Sequence, residues 1–161
     1  MIYFSELFSQ TKDDYIIYQG KKVYSIDRYK LNGNHKVKFA FVSNKSPHEQ
    51  CIVLSLYGVN CDIYLDGKKY KQPKNKFPTL DLFEKYYGKE IILEINLIDG
   101  EIGLCNGAIR KIGENEIVTY CSYGCAMQIE EISSTKKRYY CNDYENDDDF
   151  DDLVFEMEII D

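Results

Sequence analysis

Apolar and polar residues alternate along several stretches of the chain, as they do in β-strands with one buried face. In the stretch 91–97 every odd-numbered position is Ile or Leu, whereas Glu94 and Asn96 fall on the other side. The stretch 153–159 repeats the pattern, with apolar residues at the odd positions and Glu156 and Glu158 opposite them. Shorter alternations occur at 39–41, 52–56 and 63–65. The pattern predicts an all-β chain.

Turn-forming dipeptides separate or interrupt these apolar runs, because Gly and Asn tolerate the positive φ of tight hairpins. They are Gln19-Gly20, Asn32-Gly33, Asp66-Gly67, Asp99-Gly100, Asn106-Gly107 and Ile112-Gly113. Asp66-Gly67 is placed as the two residues of a hairpin turn. Many short strands at this spacing are typical of a sandwich. We predict one domain over 1–161, an antiparallel β-sandwich of jelly-roll type.

Two short helices are predicted within this β chain. The first covers Tyr3 to Ser9. The second covers Leu80 to Tyr87, with Thr79 as its N-cap and Gly88 as its C-terminal stop. The length of 161 residues, with 44% hydrophobic and 29% charged residues, is sufficient for one folded domain with a core of its own.

The charge of the chain is concentrated near its C-terminal end. The formal net charge is −7, and seven acids crowd into ten positions that contain no base. They are Asp143, Glu145, Asp147, Asp148, Asp149, Asp151 and Asp152. The rest of the chain is close to neutral. Nucleic-acid binding is not expected, because phosphate contacts need clustered Lys and Arg.

The N-terminal residues and the cysteines bear on the location of the protein. No basic segment followed by a long apolar run is visible, and no stretch is long enough for a membrane span. The location of the protein stays open between the cytoplasm and export by a non-classical route, and membrane insertion is not expected. The six cysteines are irregularly spaced, and reduced thiols buried as small hydrophobic groups are expected.

Catalytic chemistry finds little support among the remaining residues. His35 and His48 are the two histidines, and neither belongs to a Ser-His-Asp arrangement. Cys121 and Cys125 lack a second ligand pair for zinc. No phosphate-binding glycine loop is present, and the acids show no spacing typical of a glycoside hydrolase. We therefore predict a binding protein rather than an enzyme.

The acidic run has the spacing of a cation site. Asp147, Asp149 and Asp151 stand at alternate positions, Asp152 follows directly, and Asp143 lies four residues upstream of Asp147. Calcium takes six to eight oxygen ligands at about 2.3–2.6 Å. Two carboxylates about 4 Å apart repel by roughly 4 kcal/mol at an effective dielectric constant of 20. A divalent cation would remove that repulsion, and calcium suits all-oxygen ligation better than zinc.

The stretch Asp147 to Phe155 resembles a motif, D-x-D-[YF]-[ND]-D-x-V-[FV], of calcium-binding bacterial surface and secreted β-domains. It is also similar to the calcium loop of the small bacterial lectins that bind fucose or mannose through two calcium ions. The resemblance implies calcium ligands at Asp143, Asp147, Asp149, Asp151 and Asp152. Asp149 and Asp152 would bridge the ions, and a sugar would bind through the ions held by Asp143, Asp147, Asp149 and Asp152. The terminal carboxylate at Asp161 would complete the site of a partner subunit.

The chain departs from the lectin pattern at several positions. Asp151 replaces the usual Asn, Leu153 replaces a Gly, and the aromatic-proline-glycine ending of the lectins is missing. Separately, the stretches 62–68, 77–82 and 88–91 resemble the hairpin and following long strand of galactose-binding-type jelly rolls. That second resemblance supports the architecture and implies no particular ligand.

Three functional hypotheses follow. The first is a calcium-dependent binding module for carbohydrate. The second is an acidic protein-interaction domain, of inhibitor or immunity type, whose Asp cluster meets a basic surface. The third is a structural surface protein in which calcium stiffens the last loop. Oligomerisation is compatible with each of them.

Overall fold

A computed structural model describes residues 3–58, 60–70, 79–120, 124–145 and 147–161 of the protein. These residues form twelve strands and two short helices. The helices are α1 (Phe4–Phe8) and α2 (Glu84–Tyr87). The strands are β1 (Tyr15–Tyr18), β2 (Lys21–Tyr24), β3 (Asp27–Asn44), β4 (Gln50–Tyr57), β5 (Cys61–Leu65), β6 (Lys68–Lys69), β7 (Thr79–Phe83), β8 (Glu90–Ile112), β9 (Asn115–Tyr120), β10 (Ala126–Glu131), β11 (Lys136–Asn142) and β12 (Leu153–Ile159).

All strand pairs are antiparallel, and the main path of the sheet runs β1-β2-β10-β11-β12-β3-β8-β4-β7. The long strand β8 also pairs with β5 near its start and with β9 at its end, and β6 pairs with β5. The predicted all-β antiparallel sandwich with short helices is confirmed.

The two longest strands, β3 and β8, both change course near their middle. The register between them shifts from Leu31 to Gly33, and Asp99 has a φ of 47°. The Asp99 N–H donates to the side-chain oxygen of Asn32 at 3.1 Å, which ties the two irregular points together. Before this point β8 lies between β3 and β5, and after it between β3 and β4. The bend lets one continuous sheet enclose its own core.

Two groups of buried side chains hold the fold together. The large core draws on strands from β3 to β12 and includes Phe39, Leu54, Leu93 and Phe155. A small satellite core consists of Phe4, Val23, Ala126 and Phe150, with partly buried neighbours from α1, β1 and β11. Burying such side chains contributes about 1.5–3 kcal/mol each. The satellite core fixes the N-terminal segment to the end of the acidic run.

The local predictions have mixed outcomes. Helix α1 lies where it was predicted, and Asp66-Gly67 forms the β5–β6 turn with both φ angles positive. The second helix is shorter than predicted, because residues 79–83 form strand β7 with Leu80 and Leu82 buried against β4. The helix starts at Glu84, Phe83 and not Thr79 occupies the N-cap position, and Gly88 ends the helix with a φ of 90°. Residues 77–78, part of the jelly-roll resemblance, lie outside the described residues.

Three dipeptides taken as turns lie within strands instead. Asp99-Gly100 and Asn106-Gly107 both belong to β8, and Asn32-Gly33 forms the irregularity in β3. Gly100 and Gly107 serve close packing, since a side chain there would collide with the Tyr57 carbonyl or with Cys51. Glycine in these strands therefore marks close approach rather than chain reversal.

Within the described part of the chain, no disulfide is formed by Cys51, Cys61, Cys105, Cys125 or Cys141, and Cys121 lies outside that part. Burial raises the pKa of the Cys51 and Cys141 thiols above the usual range, which keeps them protonated.

Among the described residues no helix is both long enough and apolar enough to cross a membrane.

Candidate metal site

The acidic run forms the connection between the neighbouring strands β11 and β12. Cys141 pairs with Leu153, and Asn142 still pairs with Ala126 of β10, so the connection after Asn142 starts and ends at nearly the same place in the sheet. Asn146 lies outside the described residues. We call residues 147–152 the acidic loop.

The acidic loop is braced by Asn142, a fully buried residue at the end of β11. Its side-chain oxygen accepts the Phe150 N–H at 3.0 Å, and its side-chain N–H donates to the Asp147 carbonyl. The Asn142 carbonyl in turn accepts a hydrogen bond from the buried side chain of Asn106 on β8. These hydrogen bonds connect the first residue of the loop and its middle to the sheet.

Phe150 fixes the shape of the acidic loop through its backbone. Its φ of 55° lies in the left-handed region, which costs a bulky residue about 1–2 kcal/mol. The side chain is 6% exposed and its ring centroid lies 5.5 Å from that of Phe4 in the satellite core. Burial of the ring offsets the backbone cost. The aromatic residue thus turns inward while the carboxylates beside it face away from the core.

Three carboxylates converge on the outer side of the loop. One oxygen from each of Asp147, Asp149 and Asp152 lies within 4.8 Å of the other two. Asp147 and Asp149 are exposed, whereas Asp152 is buried. No Lys, Arg or His of the described residues forms an ion pair with any of the three. The group therefore concentrates negative charge without compensation.

The pKa values of all three groups are raised. Burial, and then the charges of Asp143, Asp147 and Asp149, raise the pKa of Asp152 to about 7, although the Asp143 N–H donates to its Oδ2 at 2.9 Å. Partial burial of the carboxylate and the charge of Asp149 raise the pKa of Asp147. Burial is also the largest cause of the raised pKa of Asp149. Crowding and desolvation both disfavour three negative charges in an empty site.

Asp143, also predicted as a ligand, is not among the three converging carboxylates, although its charge acts on each of them. It is fully buried and its oxygens accept hydrogen bonds from the Ser46 hydroxyl at 2.6 Å and the Glu145 N–H at 2.8 Å. The side-chain N–H of Gln50 donates to it at 3.3 Å. Asp143 is outside the three-carboxylate group, and its contacts make it a brace for the preceding backbone.

Asp148 and Asp151 have partners outside the three-carboxylate group. The Asp151 carboxylate, predicted as a ligand, pairs with the Lys45 ammonium at 3.2 Å. The Asp148 carboxylate accepts a hydrogen bond from the Tyr18 hydroxyl at 3.1 Å. Asp151 also remains close to the group, because its carboxylate contacts that of Asp149 and helps to raise the pKa of Asp149.

The backbone beneath the acidic loop depends on a close approach by Gly124. The Gly124 N–H donates to the Tyr144 carbonyl at 3.3 Å. A Cβ atom at Gly124 would lie 2.8 Å from the Asp143 carbonyl oxygen and would overlap the Glu145 carbonyl oxygen. Glycine is therefore required at this contact for steric reasons.

Asp161, to which the lectin resemblance assigns a role in a partner's site, is held by its own chain. Its side-chain oxygens contact the His35 ring and accept the Lys36 N–H at 2.6 Å. These contacts lower the pKa of Asp161. The hydrogen bond from the Lys36 N–H has the largest effect, and the contact with His35 has the second largest.

Several residues that shape the site were missed in the sequence. Asn142, Ser46, Gln50, Lys45 and Tyr18 bind the acidic segment from other parts of the fold. Four of them carry no local pattern that sets them apart. Asn142 offers one cue, because it directly precedes Asp143 at the end of an alternating strand.

The three carboxylates supply oxygen ligands alone, which is the chemistry of a hard divalent cation. Their mutual distances allow one ion to contact all three, with backbone carbonyls and water as further ligands. Comparisons of the chain with protein-family models, with curated proteins and with solved structures find no match.

Proposed function

We propose that the acidic loop binds a calcium ion through Asp147, Asp149 and Asp152, and that the protein is a calcium-dependent binding module for carbohydrate. One observation carries the metal proposal. Three carboxylate oxygens lie within 4.8 Å of one another and lack an ion-pair partner among the described residues. The neighbouring carboxylate of Asp148 accepts a hydrogen bond from Tyr18, and that of Asp151 pairs with Lys45 while it also contacts Asp149.

Calcium fits this ligand set better than other common cations. Zinc prefers His and Cys, and neither residue belongs to the group. Magnesium needs near-ideal octahedral geometry and retains several waters, whereas calcium accepts irregular sets of six to eight oxygens. An irregular loop that contributes three carboxylates suits the more tolerant ion.

The carbohydrate part of the proposal depends on the open side of the site. Asp147 and Asp149 are exposed, so an ion held by them would face solvent on one side. Water at those coordination positions can be exchanged for neighbouring hydroxyl groups of a sugar. The resemblance of residues 147–155 to the lectin loop supports the same ligand class.

Thermal unfolding in calcium and in a chelator tests the metal site. Free calcium at a hundred times its dissociation constant should add about 2.7 kcal/mol to the stability of the protein. Asp149→Asn should abolish that gain. Asp148→Asn is the matched control, since it removes the same charge from the same loop but from the side facing Tyr18. The metal proposal fails if calcium leaves the melting temperature unchanged, or if both variants respond alike.

A glycan array probed in calcium and in chelator tests the carbohydrate ligand. Hits that appear in calcium alone support the full proposal. A calcium-stabilised protein without hits would have a structural ion that stiffens the acidic loop. Salt-sensitive binding to a basic protein, unaffected by calcium, would favour the acidic interaction domain instead.

A further inference from the structure

Strand β10 is paired along its whole length on one side and hardly at all on the other. All six residues from Ala126 to Glu131 pair with β11. On the opposite side, the ladder to β2 consists of a single pair, Met127 with Tyr24. Beyond Met127 the described residues of β10 therefore present a free edge next to β2.

A groove of about 530 Å³ opens where this ladder stops. Its lining residues are Lys21, Lys22, Gln128, Ile129, Glu130 and Tyr140. Successive side chains of a strand point to opposite faces of the sheet. Three consecutive residues of β10 can therefore line the same groove only if it runs along the edge of the strand. The same holds for the two consecutive lysines of β2. The groove therefore lies between two strand edges, and its volume is within the range of about 300–1,000 Å³ typical of binding sites.

The charged groups of the groove favour a negatively charged occupant. Neither Lys21 nor Lys22 forms an ion pair with a carboxylate within the described part of the chain, although the protein carries a net charge of −7. The Lys22 ammonium lies 4.6 Å from the centre of the Tyr15 ring, which holds it at the groove. Glu130 is the one acid among the described lining residues, and it stands against two lysines. The two lysines thus leave a local positive charge beside a free edge.

We propose that this groove binds an extended acidic peptide, which adds to the edge of β10 as a further strand. The peptide backbone would hydrogen-bond to those N–H and C=O groups of residues 128–131 that point away from β11, which belong to every second residue of the strand. Acidic side chains of the peptide would pair with Lys21 and Lys22. Strand addition derives affinity from the main chain and specificity from the side chains that alternate along it. An unprotected edge in a folded protein is a template for this kind of pairing.

The test uses a fluorescein-labelled octapeptide of alternating glutamate and valine, with fluorescence polarisation as the measurement on the full chain. The double variant Lys21→Glu, Lys22→Glu should weaken binding at least tenfold. The matched control is Lys68→Glu, Lys89→Glu, which makes the same charge change at two exposed lysines away from the groove. Equal melting temperatures of the two variants confirm that both are folded.

A second peptide separates strand addition from simple charge attraction. It has the same sequence but is N-methylated throughout, so that it keeps its charge and loses its N–H donors. We expect it to bind at least tenfold more weakly than the parent peptide. Equal affinity of the two peptides would overturn strand addition, and so would equal loss of binding in both charge-reversal variants. The proposal would also be overturned if the parent peptide did not bind, or if the chain associated with itself at this edge instead of binding the peptide.

Discussion

Asp27 and Asp152 are buried to nearly the same degree, at 6% and 7% exposure, yet their surroundings are opposite. Asp27 accepts a hydrogen bond from the Tyr139 hydroxyl at 2.7 Å and pairs with the Lys137 ammonium at 3.1 Å. Asp152 has the Asp143 N–H as its donor, and the other charges that act on it are carboxylates.

The comparison shows that burial alone does not mark a functional carboxylate. A buried charge needs a partner, because desolvation costs several kcal/mol per ion. The Asp27 site contains its cation within the fold, and so it is a structural ion pair. The Asp152 site lacks an internal cation among the described residues, and a bound calcium ion would supply one.

Removing the cation from the Asp27 site should have the largest effect. Lys137→Met leaves Asp27 buried without its counter-charge, and we expect a loss of about 3 kcal/mol in the free energy of unfolding. Urea denaturation measures this loss, and calcium should not restore it. Lys68→Met, at an exposed position, is the control and should change stability by less than about 0.5 kcal/mol. A loss below about 1 kcal/mol for Lys137→Met would contradict the role of the pair.

Gly124→Ala should disturb the surroundings of Asp152 and leave those of Asp27 unchanged. The added methyl group collides with the Glu145 carbonyl and pushes the backbone that donates the Asp143 N–H to Asp152. Such overpacking costs about 2 kcal/mol. We expect a lower melting temperature together with weaker calcium binding in calorimetry. Unchanged calcium affinity would mean that the acidic loop does not depend on this contact.

The smallest effect concerns pH in the absence of metal. Because the folded-state pKa of Asp152 is raised to about 7 from an unfolded value near 3.8, the folded chain retains a proton that the unfolded chain releases. Stability from this group is therefore present at low pH and is lost as the pH rises through 7. Asp152→Asn should exceed the parent protein by about 1 kcal/mol at pH 8 in chelator, since solvent screening reduces the effect.

The advantage of Asp152→Asn should shrink toward pH 5, and calcium should reverse it at pH 8, because only the carboxylate binds the ion. Thermal melts at the two pH values, with and without calcium, measure both effects. An advantage that is constant with pH would show that the Asp152 carboxylate is not the titrating group.

The strands were predictable because each buries a single face. The alternation of apolar and polar residues at 91–97 and 153–159 follows directly from that burial. The turns were less predictable, because the same Asn-Gly and Asp-Gly dipeptides serve a hairpin at Asp66 and close packing within β8. A dipeptide carries no information about the residues that pack against it. A hairpin turn and a closely packed position within a strand therefore look alike in the sequence.

The ligand set of the candidate site stays a prediction, and the structure shows which of the predicted acids lie together. Alternate spacing brought Asp147 and Asp149 to one side, but it also predicted Asp151 as a ligand. Asp151 pairs with Lys45, which is 106 positions distant in the chain, and still contacts Asp149. Asp143 is likewise engaged by Ser46, 97 positions away. Residues far away in the chain determine which acids are left to bind a cation. The local spacing of the acids carries no information about those residues.

A crystal structure of the protein grown in calcium tests the metal site most directly. We predict one ion with oxygens of Asp147, Asp149 and Asp152 at about 2.3–2.6 Å, with Asp148 and Asp151 still directed toward Tyr18 and Lys45. An acidic loop without an ion at saturating calcium, or an ion bound by Asp148 and Asp151 instead, would contradict it.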